Sequence, residues 1–194
     1  YAEYVKDCFR YTQIEATLGF GANLFESPFT FERFYASVEA VATASVLEGF
    51  GLVFAESVFA GRPLIGRDLP AVTGELPGLQ RDGLYSELRV SLGEGERQRL
   101  RALYREKLGR CARQADIGEA ARDEALAAFD RILEQPEVDF AFLDLPAQAR
   151  MLQRMEDPIV CAETAECNRE LLNRLNSALC APGADRKEQL IGKV

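Results

Sequence analysis

The segment from Val41 to Gly66 constrains the fold more than any other. Two short apolar runs, Val41-Ala-Thr-Ala-Ser45 and Leu64-Ile65-Gly66, flank a longer apolar run, Leu52 to Ala60. The longer run is opened by Gly49-Phe50-Gly51 and closed by Gly61-Arg62-Pro63. The outer runs are too short for helices and too apolar for a face in water, so each is read as a strand covered on both sides. The middle run has helix length. Gly61 fits the left-handed position after a helix end, and Pro63 prevents continuation. A strand, a helix and a strand in so short a span predict parallel pairing, because parallel strands need a crossover connection. Just upstream, Thr30 is placed to cap a helix with Phe31, Phe34, Tyr35 and Val38 at the i, i+3, i+4, i+7 spacing of one buried face. The fold class expected is therefore α/β, a parallel sheet covered by helices.

After Gly93 the pattern changes. Leu100, Leu103, Tyr104, Leu108 and Cys111 form one helical stripe among many Arg and Glu, and Leu126, Phe129 and Leu133 form another. Asp116 with Glu119 resembles a capping pair between them. Val138 to Leu145 reads as an irregular connector ended by Pro146. Leu171, Leu172, Leu175 and Leu179 mark a last helix closed by Pro182-Gly183, and the tail from Asp185 is expected to be mobile. The expected division is 1–93 for the sheet portion and 94–194 for a mainly helical C-terminal segment.

Composition removes several classes of function. An apolar content of 47% in 194 residues is enough for a real core. A formal net charge of -8 argues against a nucleic-acid surface, which needs clustered Lys and Arg. The chain has no histidine, which excludes Ser-His-Asp and Cys-His centres and histidine-ligated metals. The cysteines, Cys8, Cys111, Cys161, Cys167 and Cys180, are odd in number with no CxxC pair, so a reducing compartment is expected and neither a disulfide framework nor a zinc site. No apolar run reaches the roughly 18 residues of a membrane span, which predicts no transmembrane segment and a cytoplasmic location. Any catalysis must rest on carboxylates, hydroxyls or backbone dipoles.

Two carboxylates stand out. Glu48 lies where the first strand should end, and Glu56 interrupts an otherwise apolar helix. A charge removed from water without a partner costs several kcal/mol, so Glu56 is expected to be largely buried and to need an arginine, a ligand hydroxyl or a shifted pKa. In open α/β sheets, ligands bind beyond the carboxyl ends of the strands, where helix N-termini point free N–H groups. The amides of Gly49, Phe50, Gly51 and Leu52 would stand there unobstructed. Glu56, five residues after Gly51, would lie about 7 to 8 Å further along the axis, so the two carboxylates are spaced to grip two ends of one extended ligand. Two glutamates and a GxG are also common in purely structural roles. Arg67, at the carboxyl end of the second strand, is placed either for a phosphate or for an ion pair with Asp68 or a helix carboxylate.

Glu48-Gly-Phe-Gly-Leu-Val-Phe-Ala-Glu56, followed by Ala60-Gly-Arg-Pro-Leu-Ile65, resembles the Glu-x7-Glu signature of retaining GT-B glycosyltransferases of the family 4 type, where a typical form reads E-G-F-G-L-x-x-x-E-A-M-A-x-G-x-P-V-I. The resemblance implies a Rossmann-like nucleotide-sugar-binding portion, part of a GT-B C-terminal domain, over 1–93. Glu48 would contact the transferred sugar at the reacting centre. Glu56 would take the ribose hydroxyls of the donor, a nucleotide diphosphate sugar. Gly49, Phe50, Gly51 and Leu52 would hold sugar hydroxyls and the diphosphate, with Arg67 nearby. The reaction would need neither metal nor a separate cofactor.

This chain departs from the family's pattern in three places. Gly66-Arg-Asp-Leu-Pro-Ala-Val-Thr73 replaces the usual small-residue loop, and Ser57-Val-Phe59 replaces Ala-Met-Ala. The acceptor-binding N-terminal domain, with the basic pair that clamps the diphosphate, would lie upstream of residue 1. The alternative expectation is a non-catalytic glycosyltransferase-like module acting in protein–protein interaction.

Overall fold

The computed structural model describes Lys6, Phe9, Glu15, Ala16 and residues 31–180. Thr30, Pro182-Gly183 and the tail from Asp185 lie outside the described residues. From residue 31 onward the elements are α1 (Phe31–Ser37), β1 (Val41–Ala42), α2 (Leu52–Phe59), β2 (Leu64–Arg67), α3 (Pro70–Thr73), β3 (Leu84–Tyr85), β4 (Arg89–Ser91), α4 (Glu94–Gln114), α5 (Glu119–Glu134), β5 (Glu137–Asp139), a 3-10 turn (Phe140–Phe142), α6 (Leu145–Arg154), α7 (Pro158–Cys167) and α8 (Arg169–Cys180). The described residues of Glu15–Ser86 and Arg169–Val194 form one compact unit, and those of Tyr1–Ile14 and Glu87–Asn168 form another.

The first unit holds a parallel three-stranded sheet in the order β1-β2-β3. Val41 pairs with Leu64 and Ala42 with Ile65, and on the other side of β2, Gly66 pairs with Leu84 and Arg67 with Tyr85. Helix α2 connects β1 to β2, as the apolar runs predict. β1 is shorter than expected: after the Thr43 N–H donates to the Ile65 carbonyl at 2.9 Å, the Thr43 hydroxyl accepts from the Ser45 N–H at 3.2 Å. That local turn draws the chain out of the ladder. The short pair Leu84-Tyr85 escaped the pattern reading, although Leu84 is buried as the third strand. Phe54, Leu64 and Leu84 make the core of this unit, with Val41, Val53, Leu69, Val72, Leu76 and Leu79 packed around them.

Helix α2 ends as its sequence predicts. Gly61 has φ 62°, the Arg62 N–H donates to the Ser57 carbonyl at 2.9 Å, and the Gly61 N–H donates to the Val58 carbonyl at 3.0 Å. This is the paired bonding of a Schellman motif, which uses the last free carbonyls of the helix.

The second unit is built on α4 and α5 and on an antiparallel ladder between β4 and β5, with Val90 opposite Val138. The ladder corrects the expectation of an irregular connector over Val138 to Leu145. Glu137–Asp139 is a strand, and only three residues lack a long-run pattern to reveal it. Leu100 and Leu133, from the two expected stripes, bury against Val90, Leu92, Val138, Leu143, Ala147 and Met151. Tyr104 and Phe129 stack with ring centroids 3.9 Å apart. The expected cap at Asp116 is also corrected. Gly118 is the N-cap of α5, whereas Asp116, at φ 52°, closes α4, with the Ile117 N–H donating to the Ala112 carbonyl at 2.9 Å. Asp is one of the few residues with a side chain that tolerates this left-handed position.

Candidate functional site at the carboxyl edge of the parallel sheet

Because β1, β2 and β3 are parallel, their carboxyl ends share one edge. The segment from Thr43 to Gly51 leaves the sheet there, as do Arg67-Asp68 and Tyr85-Ser86. Glu48, Gly49, Phe50, Gly51 and Leu52 all belong to the passage from β1 into α2. Glu56 follows on α2, and Arg67 is the last residue of β2.

Gly51 is the N-cap of α2, with φ 63° and ψ 35° and no side chain to bond the first amides of the helix. The Phe54 and Ala55 N–H groups donate to its carbonyl at 3.0 and 3.2 Å. A Cβ at Gly51 would run into the Val72 side chain, so both the left-handed backbone and the close packing require glycine. The amides at the start of α2 are thus left without a side-chain cap. Gly49 is open, with nothing within 4 Å of where a Cβ would stand.

Glu48 is half-buried in the loop between β1 and α2. Its neighbours expose apolar side chains to water: Leu47 is 86% and Phe50 91% accessible. Glu56 is half-buried rather than enclosed. The reason is its position on the helix. Phe54 and Ser57 face the core, whereas Leu52, Glu56 and Phe59 follow one another at i, i+4, i+7 on the outer side. Its partner is neither arginine nor lysine. The Tyr35 hydroxyl on α1 donates to Glu56 Oε2 at 2.7 Å. Burial, and then the hydrogen bond and charge of Glu56, push the Tyr35 phenol from 10.0 up to about 12.

Arg67 lies with its guanidinium carbon 5.7 Å from the Tyr85 ring centroid, and its Nη1 donates to the Ser86 carbonyl. Asp68 has other partners: it accepts from the Thr73 hydroxyl and pairs with Arg81 at 3.9 Å. Leu52 and Glu56 share one helix face, and Arg67 occupies the same sheet edge from the neighbouring strand. Tyr35 and Tyr85 were not singled out from the sequence. Tyr35 reads as one more member of an apolar stripe, and the available signal was its hydroxyl, which must find a partner when the ring is buried.

Among the described residues no group of three or more His, Cys, Asp or Glu is arranged to hold a metal, and no helix is long and apolar enough to cross a membrane. A cavity of ≈ 530 Å³ in the second unit, lined by Leu100, Leu103, Tyr104, Phe129, Ile132 and Phe142 among others, contains none of the residues expected to bind ligand.

The chain is similar to the mannosylglucosyl-3-phosphoglycerate synthase of Petrotoga mobilis (strain DSM 10674 / SJ95), with 23% identity over 175 residues. The likeness covers 90% of this chain and 33% of that protein, so the chain spans about a third of the length of the curated relative it matches. No family model and no solved structure matches.

Proposed function

We propose that this chain is the donor-binding portion of a retaining glycosyltransferase of GT-B type, moving a sugar from a nucleotide diphosphate sugar to an acceptor. The observation that carries this is the placement of the Glu48-to-Glu56 segment: the chain leaves a parallel strand at its carboxyl end, turns at a left-handed Gly51 and enters α2 with its first amides uncapped. The likeness to a synthase over 90% of the chain supports glycosyl transfer as the general activity.

On this assignment each residue has a physical task. Bond breaking at the donor builds negative charge on the departing diphosphate and positive charge on the sugar. The amides of Gly49, Phe50, Gly51 and Leu52, at the positive end of the α2 dipole, meet the diphosphate and sugar hydroxyls. Arg67 adds a fixed positive charge from β2. The Glu48 carboxylate stabilises the charge developing on the sugar, a contact stronger in the transition state than before it. Glu56 accepts from the ribose hydroxyls.

The test is titration of the chain with UDP- and GDP-sugars, followed by amide NMR shifts. Weak binding is expected, on the order of millimolar, because an exposed helix N-terminus contributes only about 0.3–1 kcal/mol. Shifts should be confined to the Val41-to-Arg67 segment and the β3 end. Glu56→Gln should weaken binding by about 1–3 kcal/mol. Shifts scattered over the second unit, or none at all, would sink the assignment. A non-catalytic module docking on another protein is favoured by one observation, the exposure of Leu47, Phe50 and Phe59. It predicts no response to any nucleotide sugar.

A further inference from the structure

Glu56 is held by a small closed frame. Tyr35 is buried on α1, and of the acceptors open to a buried phenol its hydroxyl meets a carboxylate oxygen on the outer side of α2. The backbone carrying Tyr35 is itself fixed. Arg62, buried just beyond the C-terminal end of α2, donates from Nε to the Tyr35 carbonyl at 3.2 Å and from Nη2 to the Ala36 carbonyl. The position of Arg62 is set in turn by its own N–H on the Ser57 carbonyl. Thus α2 clamps the end of α1 through Arg62, and α1 reaches back to α2 through Tyr35. A carboxylate tethered at one oxygen loses the rotamer freedom that a half-exposed glutamate otherwise keeps. The phenol holds its proton up to about pH 12, so at neutral pH the bond runs from Tyr35 to Glu56.

We propose that Tyr35 is a positioning residue for ligand binding: its hydroxyl fixes Glu56 Oε2 so that Oε1 is presented to a hydroxyl of the bound ribose. This rests on the assignment of Glu56 to the ribose made above. Preorganisation of this kind strengthens binding by removing an ordering cost rather than by adding a contact to the ligand.

The test uses the 194-residue chain and ligand-observed NMR with UDP, GDP and ADP, each compared with its 2′,3′-dideoxy counterpart. The readout is the affinity ratio between a ribose and its dideoxy form. Wild type should prefer at least one ribose form, by about tenfold for a hydrogen bond to a charged acceptor. Glu56→Gln should bring the ratio near one, and Tyr35→Phe should lower it severalfold. In the Tyr35→Phe/Glu56→Gln double variant, loss of the phenol should have no further effect, which a merely structural tyrosine would not show. If Tyr35→Phe does not fold, 3-fluorotyrosine at position 35 alone, with its more acidic hydroxyl, must change the wild-type ratio. An unchanged ratio in Tyr35→Phe or with 3-fluorotyrosine, beside a lost one in Glu56→Gln, overturns the role of Tyr35 and leaves that of Glu56 standing. An equal loss from Tyr35→Phe in the Glu56→Gln background overturns it as well. A wild-type chain indifferent to the ribose hydroxyls overturns the assignment of Glu56, and the role of Tyr35 with it.

Discussion

The parallel-sheet unit and the helical unit use their polar residues differently. In the helical unit, polar side chains close the structure on itself. Arg97 donates to the carbonyls of Leu92, Leu133, Gln135 and Pro136, covering the open end of α5. Buried Asn168 accepts from the Arg89 N–H at 2.9 Å and donates to the Arg89 carbonyl at 2.7 Å, completing the outer edge of β4 as another strand would. Glu96, Arg99, Asp144 and Arg150 form a linked ion-pair network. In the sheet unit, Tyr35 and Arg62 frame Glu56 between α1 and α2, and Ser86 with Tyr85 holds Arg67 at the edge where α/β sheets take ligands. Its buried core is smaller, and apolar side chains beside it remain in water. One unit has the larger buried cluster and polar groups turned on its own backbone, and the other a smaller cluster beside an open sheet edge.

The largest effects should come from the two cores, and they should differ in kind. Phe54 has no accessible surface and is the largest of the fully buried side chains. Phe54→Ala should cost about 3–5 kcal/mol. Leu64 and Leu84 are its buried companions in that cluster among the described residues, so its loss should release amide protection throughout β1 to β3. Leu133→Ala should cost about 2–5 kcal/mol, yet protection in α4 and α5 should survive, because seven other buried residues remain in that cluster. Native-state hydrogen exchange distinguishes the two patterns. Loss of protection from α4 and α5 in Leu133→Ala would erase the contrast.

Asn168→Ala comes next. It removes the partner of the backbone N–H and carbonyl of Arg89, each held now by one short, part-buried bond, and the expected cost is about 0.5–1.5 kcal/mol per bond. Asn168→Asp keeps the acceptor and loses the donor, so it should fall between Ala and wild type in a urea melt. If both variants melt with wild type, water replaces the side chain at that edge without penalty.

The parts legible in the sequence were those with a long period or a strong stop signal. The α2 helix announced itself through Gly51, Gly61 and Pro63, and α4 and α5 through stripes that recur over several turns. The parallel pairing of β1 with β2 followed from one short connection. Two- and three-residue strands such as Leu84–Tyr85 and Glu137–Asp139 carry no period at all, because their pairing is decided by neighbours distant in sequence. The same holds at the candidate site. Glu48, Gly51 and Glu56 were visible through local spacing, whereas the Tyr35 bond to Glu56 spans 21 positions and no local pattern encodes it. Buried groups with an unmet bonding demand are the place to look for such pairs.

The Tyr35 bond also gives the sheet unit a response to alkaline pH. Its folded-state pKa, about 12, is above the ordinary 10.0, so the folded chain binds this proton more tightly than the unfolded chain. The stability it contributes is fully present below pH 10 and is lost as pH rises through about 12. For two carboxyls of the helical unit the sign is opposite. Burial opposes ionisation of Glu96, but hydrogen bonds from Arg150 and Arg99 prevail and hold its carboxyl below the usual range, and Arg99 does the same for Asp144. That contribution is present above the ordinary carboxylate pKa and fades in acid. Urea midpoints measured across alkaline pH should fall more steeply for wild type than for Tyr35→Phe. Parallel curves would mean the phenol ionises as an exposed one does.

The smallest effect is the most informative about the sheet edge. Phe50 is 91% exposed, and it stands between Gly49 and Gly51, where its ring faces water. A side chain that buries nothing on folding contributes nothing through burial, so Phe50→Ser should change stability by no more than about 0.5 kcal/mol in either direction. Leu47→Ser, at 86% exposure, should be as silent. These substitutions leave the Gly51 turn and the α2 amides in place, so on the proposed assignment a nucleotide sugar should keep its diphosphate contacts. If Phe50→Ser instead destabilises the chain by as much as a core change, the loop packs in solution against something that leaves the ring less exposed. The contrast between a self-satisfied helical unit and an open sheet unit would then have to be withdrawn at this edge. If stability is unchanged but nucleotide-sugar binding falls, the ring belongs to the ligand's surroundings, and its exposure is that of a surface waiting for substrate.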